Sequence, residues 1–217
     1  STNNYVLCFG DQIDLISNGD WTGPGEMFNP PGPPYNPGVS WLIYSCPPTV
    51  GVTPDPANPV PSDPCFLGLA SNTTLTDINN GGSWMDAFPA GTFTNNTVYF
   101  VPITMYDQVG GTYSYVNGTI PCYEMGPSFA VQYLPQFSSS FTDDCLAGTA
   151  DITVNGGLPA IDGSNFTGSN LMPGTASFAN TTAPDGGIIQ ITGLSGGDMW
   201  SFDVTDDNGC PYTVSGG

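Results

Sequence analysis

The stretch Ile188–Val214, IIQITGLSGGDMWSFDVTDDNGCPYTV, decides the fold class of this chain. Apolar and polar residues alternate over Trp200–Thr205, and because successive side chains of a strand point to opposite faces, the pattern predicts a half-buried β-strand. Asp206–Gly209 follows as a turn, since Asn and Gly both adopt positive φ and Gly does so without strain. The alternation resumes after Cys210. The stretch therefore predicts a hairpin with a cysteine just past its turn.

The segment TGLSGGDMWSFDVTDDNGC at 192–210 resembles the end of the SprB-type repeat, found in very large surface adhesins of gliding Bacteroidetes. That repeat opens with a Cys, a Gly, a short strand and a Gly-Gly turn. The residues that stand here in that order are Cys145, Gly148, Ile152–Val154 and Gly156–Gly157. The resemblance covers about residues 140 to 215 and departs at Pro159–Ala160, where the repeat usually has Pro-Tyr. It implies type IX secretion, attachment to the bacterial cell surface and a part in gliding motility.

The amino-acid composition limits the classes of molecule that this chain can bind. The chain has 217 residues, of which 19 are acidic and none is Lys, Arg or His. No salt bridge can form within it, so every carboxylate must be solvated, bound by backbone N–H groups or held by a metal. Nucleic acid and anionic lipid are poor partners, because both are bound through Lys and Arg. A hydrophobic content of 39% still predicts a folded core, as in an acidic extracellular protein.

The six cysteines, an even number, predict three disulfides and an oxidising compartment outside the cytoplasm. A zinc site is not expected, because the chain has no CxxC and no His. One pair would staple a Pro-rich loop, and the other two would join the first and last strands of each predicted module. The predicted pairs are Cys46–Cys65, Cys8–Cys122 and Cys145–Cys210. Four cysteines in the first module allow three connectivities, so its pairing stays open.

The rest of the chain predicts an all-β protein of two tandem Ig-like sandwich modules, 1–135 and 136–217, with the boundary at Ser138–Ser140. Two segments, 23–38 and 47–64, are Pro-rich and are predicted as loops. The strongest strand signals are Val39–Cys46, Thr97–Met105 and Phe129–Tyr133. No 20-residue apolar run occurs, so no membrane span is expected. The absence of an initiator Met and of a signal peptide indicates a mature fragment or a piece of a longer chain.

Two residues of the first module carry specific expectations. Trp41 is predicted as a core anchor, since large aromatic side chains are usually well buried. Pro102 interrupts an apolar strand and indicates an edge or a bulge, because proline cannot donate to a ladder. The opening CFGDQIDL at 8–15 also resembles the start of Bacteroidetes surface Ig-like modules.

The sequence predicts no enzyme. A nucleophile-and-base triad needs His or Lys as its usual base, and neither occurs. Paired carboxylates, as in glycoside hydrolases, remain. The adjacent pairs Asp143–Asp144 and Asp206–Asp207 do not suit that role, because neighbours on a strand point to opposite faces. Glutamates are few, Glu26 and Glu124 alone.

The sequence offers candidates for two kinds of binding site, one for calcium and one for carbohydrate. Asp206 and Asp207 resemble part of a calcium loop but lack its length and closing Glu, so a hairpin turn with solvated aspartates is favoured. Exposed aromatic side chains beside Asp and Asn are what a carbohydrate site uses. The candidates for such a site, all in loop-like stretches, are Trp21, Tyr35 and Trp84.

The prediction is a non-catalytic structural or adhesive module of a large secreted cell-surface adhesin or extracellular filament. Its partners would be neighbouring copies or modules, with surface glycans as a second class. The Pro-rich loops are expected to make those contacts, because a pre-stiffened loop loses less entropy on binding. The alternative is a recognition domain that binds carbohydrate or calcium.

Overall fold

The computed structural model is almost entirely β in the residues it describes, and it divides into two compact units. The first unit contains Ser1–Tyr5 and Gln12–Gln132, and the second contains Val6–Asp11 and Tyr133–Gly217. The break after Gln132 precedes the predicted boundary at Ser138–Ser140, which instead begins the strand Ser138–Asp144 of the second unit. The sequence pattern carried no sign that Val6–Asp11 belongs to that unit. The described residues are 4–17, 19, 38–49, 63–70, 73–76, 88–105, 116–117, 120–121 and 125–217.

The first unit has the strand order of an immunoglobulin-type sandwich. Its strands are β1 (Asn4–Leu7), β2 (Gln12–Leu15), β3 (Gly38–Tyr44), β4 (Phe66–Ala70), β5 (Thr73–Thr76), β6 (Thr97–Met105), β7 (Val116–Asn117), β8 (Ile120–Pro121) and β9 (Phe129–Tyr133). One sheet has the order β1-β9-β6-β3-β4, and β2 pairs with β5 in another. The run β9-β6-β3-β4 corresponds to strands G-F-C-C′, and β2–β5 to the B–E pair. The short pair β7–β8 lies in the connection between β6 and β9.

The core of the first unit forms around β3 and β6, as their apolar runs predict. Trp41 on β3 donates its indole N–H to the carbonyl of Leu15 on β2 at 3.1 Å, and this bond joins the two sheets. Its ring also packs edge-on against Phe129. Trp41 thus links the two sheets, but it is only partly buried and is not one of the buried core side chains. The buried apolar side chains on the central strands are Val39, Leu42, Ile43, Tyr44, Val98, Phe100, Val101 and Ile103.

Pro102 lies in β6 beyond Phe100, the last residue paired with β9. Its carbonyl accepts from Gly126 N–H at 2.9 Å, on the side away from β3. In an antiparallel strand the N–H and C=O of one residue point to the same side. The missing proline donor therefore costs no bond to β3, but Pro102 lies at neither a bulge nor an edge, because its pairing with β3 is regular and Met125 bridges to the adjacent Ile103 on the other side.

The second unit is a complete sandwich of two four-stranded sheets. Its elements are β10 (Ser138–Asp144), β11 (Thr149–Asn155), helix α1 (Pro159–Asp162), β12 (Asn165–Met172), β13 (Ser177–Phe178), β14 (Thr182–Pro184), β15 (Ile188–Thr192), β16 (Trp200–Thr205) and β17 (Pro211–Gly216). The sheet orders are β10-β11-β15-β13 and β14-β12-β16-β17. Strands β10, β11 and β15 correspond to A, B and E, and β12, β16 and β17 correspond to C, F and G. The chain reaches β13, beside β15, before β14, beside β12, which reverses the usual order of C′ and D. Both units are Ig-like, and the predicted fold class is confirmed.

The predicted hairpin is the centre of this second core. Strand β16 alternates buried and partly buried residues along its whole length and pairs with β17 from Trp200 opposite Gly216 to Thr205 opposite Pro211. Strand β11 alternates in the same way on the facing sheet. The side chains that meet between the sheets are Ala150, Ile152, Val154, Phe166, Ala183, Ile189, Ile191, Trp200, Phe202, Val204 and Val214.

The disulfide of the second unit differs from the prediction. Cys210 pairs with Cys8, with a Cα–Cα distance of 5.5 Å, so the predicted bridges Cys145–Cys210 and Cys8–Cys122 are wrong. Cys210 precedes β17, whereas Cys145 lies in a turn at the end where β17 finishes. A strand of six residues spans about 20 Å, far more than the 4.4–6.8 Å that a disulfide allows. Cys145 is an exposed free thiol among the described cysteines, and Cys122 lies outside the described residues.

Candidate functional site

The first candidate site is the neck of the Pro-rich loop in the first unit. Cys46 and Cys65 form a disulfide with a Cα–Cα distance of 5.5 Å, so the predicted staple is confirmed. Ser45 N–H donates to the Cys65 carbonyl at 2.9 Å, directly beside the bridge. Because Cys46 follows β3 and Cys65 precedes β4, the neck is built on two paired strands of the sheet. Residues 50–62, between the two sides of the neck, lie outside the described residues.

The buried carboxylate of Asp63 forms a second link across the neck of this loop, in addition to the disulfide. Asp63, 7% exposed, accepts from Thr49 N–H at 3.0 Å, from the Thr49 hydroxyl at 2.9 Å and from Cys65 N–H at 2.8 Å. Burial acts to raise the pKa of Asp63, but the bonds from Thr49 and Cys65 outweigh it, so this pKa lies below its usual value. The carboxylate is thus held ionised without a cation, by N–H and O–H donors from both sides of the loop.

Tyr44, the last residue of β3, adds to the electrostatics of this region. Its side chain is fully buried, and burial, helped by the charge of Asp63, raises the pKa of Tyr44 to about 12. The hydroxyl has no hydrogen-bond partner within the described part of the chain. The Tyr44 side chain therefore stays neutral at physiological pH, and its ring packs edge-on against Phe66 on β4.

The aspartate proposed for calcium has another role. Asp206, 6% exposed, accepts from Leu158 N–H at 2.9 Å through Oδ2, and from Asn208 N–H at 3.0 Å and Cys210 N–H at 2.9 Å through Oδ1. Positive N–H dipoles therefore point at both oxygens, which is the opposite of a cation site. Asp207 beside it is exposed. The pair forms a hairpin turn, and the calcium interpretation is not supported by this geometry.

Gly157, the second glycine of the double-glycine motif in the predicted repeat, lies directly beside the Asp206 carboxylate. Gly157 has a φ of +57°, and a Cβ placed on it would lie 2.9 Å from Asp206 Oδ2 and 2.8 Å from the Phe137 ring. Only glycine allows the chain to pass this closely. The motif Gly156–Gly157 and the turn Asp206–Gly209 therefore pack closely against each other in the second unit.

The second candidate site is a small cavity of about 50 Å³ at one end of the second unit. Two loops form its walls, the turn 145–148 between β10 and β11 and the connection 193–199 between β15 and β16. Trp200 lines it and donates its indole N–H to Asp143 Oδ1 at 3.3 Å. The cavity is far below the roughly 300–1,000 Å³ typical of small-molecule pockets. It is therefore too small for a drug-sized ligand.

Carboxylates and apolar side chains surround this cavity together. Asp144 Oδ1 accepts from Leu146 N–H at 2.9 Å and from Ala147 N–H at 3.0 Å, and Asp198 Oδ2 accepts from Ser195 N–H at 2.7 Å. Each carboxylate therefore uses one oxygen for the local turn. The side chains exposed around the same end are Phe141, 45%, Leu146, 102%, and Met199, 73%.

Strand β10, which leads into this cavity, has an exposed edge, and of its side chains Ser139 reaches the Tyr212 hydroxyl of β17 at 3.3 Å and Phe141 packs edge-on against Trp200. It is the outer strand of its sheet, and all seven of its residues are exposed. On its inner side it pairs with β11 from Ser138 opposite Asn155 to Asp144 opposite Thr149. An outer strand of this kind leaves backbone N–H and C=O groups available to another chain.

Among the described residues, no group of three or more His, Cys, Asp or Glu side chains is placed so that it could hold a metal ion. The predicted carbohydrate candidates Trp21, Tyr35 and Trp84 lie outside the described residues, so their prediction stays open. Among the described helices, none is long and apolar enough to cross a membrane.

The sequence interpretation missed both Asp63 and the grouping of Asp143, Asp144 and Asp198. Asp63 had a local signal, because an Asp before Pro favours a turn and its side chain can bond N–H groups two residues on. The three aspartates had none, since Asp143 and Asp144 end β10, whereas Asp198 lies in the connection after β15, several strands later in the chain.

No protein-family profile matches the chain, and no curated protein sequence matches it. Among solved structures, the chain is similar to a β-glucuronidase of Parabacteroides merdae at 10% identity and a TM-score of 0.29, covering 98% of this chain and 23% of that one. It is similar to the human desmocollin-1 ectodomain at 11% identity and a TM-score of 0.32, covering 98% of this chain and 34% of that one. The chain thus spans about a quarter to a third of these structures, and scores this low carry no conclusion on function.

Proposed function

We propose that this chain is a non-catalytic structural or adhesive module of a secreted cell-surface protein, and that the loop closed by Cys46 and Cys65 is its contact element. The observation that carries the proposal is the neck of this loop. It is closed covalently by the disulfide and electrostatically by Asp63, and both closures lie on paired strands of an Ig-like sheet. A loop that is closed in this way begins and ends at fixed positions on the sheet.

The composition of the loop supports the same role. Residues 47–64 contain seven prolines, and prolines reduce the conformational freedom that a free loop would lose on binding. A neck disulfide limits that freedom further. In the chain-entropy description, closing a loop with a sequence separation of 19 contributes about 3 kcal/mol.

Three further features support an extracellular setting. Two disulfides are typical of proteins in an oxidising compartment. A net charge of −19 keeps such a chain soluble and resists random association. The resemblance of about residues 140 to 215 to the SprB-type repeat supports a bacterial surface adhesin, with type IX secretion and gliding as its finer expectations.

The test replaces residues 50–62 by Gly-Ser-Gly, which leaves the disulfide, Thr49 and Asp63 in place. We expect an unchanged far-ultraviolet spectrum and melting temperature, together with weaker retention of fluorescently labelled protein on bacterial cells and test surfaces. A second variant fills 50–62 with Gly and Ser at the original length, which separates loop length from loop chemistry. If both variants attach and assemble as the parent does, the contact lies elsewhere and the proposal is wrong.

A further inference from the structure

We propose that the open edge of β10 and the cavity at its end dock an extended segment of a partner protein that carries Lys or Arg. This inference concerns the second unit and goes beyond the proposed function, which rests on the loop of the first. The surface is defined as Ser138–Asp144, the turn 145–148 and the connection 193–199.

The backbone supplies the first part of the argument. Strand β10 is seven residues long, all of them exposed, and only its inner side pairs with a neighbouring strand. Edges of this length are usually covered, or are blocked by prolines, bulges or charged side chains. Strand β10 has the sequence SSSFTDD, so its first five residues contain no proline and no charge, and its only charges are the two aspartates beside the cavity. An added strand would satisfy its outward N–H and C=O groups.

The cavity supplies the second part. Trp200 and Leu194 give it apolar walls, and Asp143, Asp144 and Asp198 stand among its lining residues. A Lys or Arg side chain combines an apolar stem with a charged head. Such a side chain at the mouth of the cavity would lay its stem on the apolar wall and bring its head to the carboxylates.

The charge of the whole chain identifies the occupant as another protein. The chain has no Lys, Arg or His, so no side chain of its own can neutralise these three aspartates. A second copy is disfavoured for the same reason, because two chains that each carry −19 repel one another. Complementarity therefore selects a cationic partner.

Cys145 provides a built-in reporter of occupancy, because its exposed thiol lines the cavity. The probe is the blocked peptide Lys-Thr-Val-Thr-Val-Thr-Lys, whose terminal lysines allow pairing in either direction, and the control peptide has both Lys replaced by Gln. We expect the lysine peptide to slow alkylation of Cys145 by iodoacetamide several-fold, mapped by mass spectrometry. Its affinity should fall as NaCl rises from about 50 to about 300 mM, since screening weakens exposed pairs.

Matched variants isolate the local charge. Asp143→Asn, Asp144→Asn and Asp198→Asn together remove three charges but keep the oxygens that accept the turn bonds. The control removes three charges from the opposite end of the same unit, with Asp162→Asn, Asp185→Asn and Asp207→Asn. We expect roughly tenfold weaker peptide binding in the first set only, at a few-fold for each exposed pair.

Several results would overturn the proposal, and the peptide comparison does so even if a variant fails to fold. Equal protection of Cys145 by the lysine and glutamine peptides, or by neither, would exclude a cationic occupant. Equal weakening in both triple variants would show a general charge effect rather than a site. Protection that rises with protein concentration in the absence of peptide would identify a second copy as the occupant.

Discussion

Buried carboxylates in this chain are stabilised without a single cation. Asp63 and Asp206 are 7% and 6% exposed, and each accepts three hydrogen bonds from turn N–H groups or a hydroxyl. Charged groups in protein interiors normally need an ion pair or several such bonds, because desolvation is costly. Here the second solution is used twice, once in each unit. Each buried aspartate consequently joins two segments that are distant in the chain or lie across a loop.

A residue-scale prediction concerns Asp206 and its exposed neighbour. Asp206→Ala leaves Leu158, Asn208 and Cys210 N–H groups without their acceptor, and bonds to a charged group contribute about 1.5–3 kcal/mol each. We expect urea unfolding to show a loss of about 3 kcal/mol or more for Asp206→Ala and under about 0.5 kcal/mol for Asp207→Ala. Millimolar calcium and magnesium should raise the melting temperature equally. A calcium-specific increase that Asp206→Ala abolishes would restore the calcium site.

Tyr44 gives a second prediction at this scale. Its hydroxyl lacks a partner in the described part of the chain, and an unsatisfied buried polar group costs about 1–3 kcal/mol. Tyr44→Phe is therefore expected to stabilise the first unit by about 1 kcal/mol at pH 7. The exposed Tyr5→Phe is the control, with no expected change. A clear loss of stability in Tyr44→Phe would show that the hydroxyl is bonded after all.

The pH dependence of the same variant follows from the pKa of Tyr44, which is about 12 when folded and about 10 when unfolded. A raised folded pKa contributes stability that is complete below the unfolded pKa and is lost as pH rises through the folded one. The parent should therefore lose more stability than Tyr44→Phe between pH 10 and pH 12, measured by urea unfolding. Equal losses in the two proteins would contradict the assignment.

At the scale of elements, local patterns predicted strands well and predicted long-range partners badly. The hairpin β16–β17, the apolar strand β6 and the alternating β9 lie where the sequence placed them. These elements are specified by side-chain periodicity within a few residues. The pairing of Cys8 with Cys210 spans a sequence separation of 202, and nothing local marks it. The grouping of Val6–Asp11 with the second unit was missed for the same reason.

Mapping of the free thiols tests the disulfide pairing directly. With denatured, unreduced protein, we expect a maleimide to label Cys145 and to leave the paired cysteines unlabelled, namely Cys8, Cys46, Cys65 and Cys210. The physical reason is that β17 separates the two ends of the sandwich, so Cys145 and Cys210 cannot meet. Peptide mapping after cleavage identifies the labelled site. A cross-linked peptide that contains Cys145 and Cys210 would contradict the structure.

At the scale of the whole molecule, one electrostatic fact dominates. The chain carries −19 with no positive side chain, so its carboxylates repel one another and no ion pair offsets them. Folding brings these charges closer together, and this self-repulsion opposes the compact state. The Ig-like cores and the disulfides must therefore provide stability against a cost that an ordinary surface of mixed charge does not have. In the chain-entropy description the Cys8–Cys210 bridge alone contributes about 5 kcal/mol.

This balance predicts that salt and mild acid both stabilise the protein. Salt shortens the screening length to about 10 Å at 0.1 M, and protonation from pH 7 to about 4.5 removes part of the charge, so the melting temperature should rise in both cases. Ion-paired proteins respond in the opposite way, because acid breaks their pairs. A melting temperature that falls steadily from pH 7 to pH 4.5 would show that favourable carboxylate contacts outweigh repulsion across the whole chain.

The increase must end at lower pH, and Asp63 sets one limit. Its folded pKa is lowered, so its contribution to stability is present above the unfolded pKa of about 3.9 and is lost as pH falls through the folded value. The melting temperature should therefore pass through a maximum and then fall in strong acid. In Asp63→Asn the acid loss should be smaller, because that variant has no charge to protonate at this position, whereas the rise from pH 7 should persist. If the melting temperatures of parent and variant fall equally in strong acid, another carboxylate controls the loss of stability.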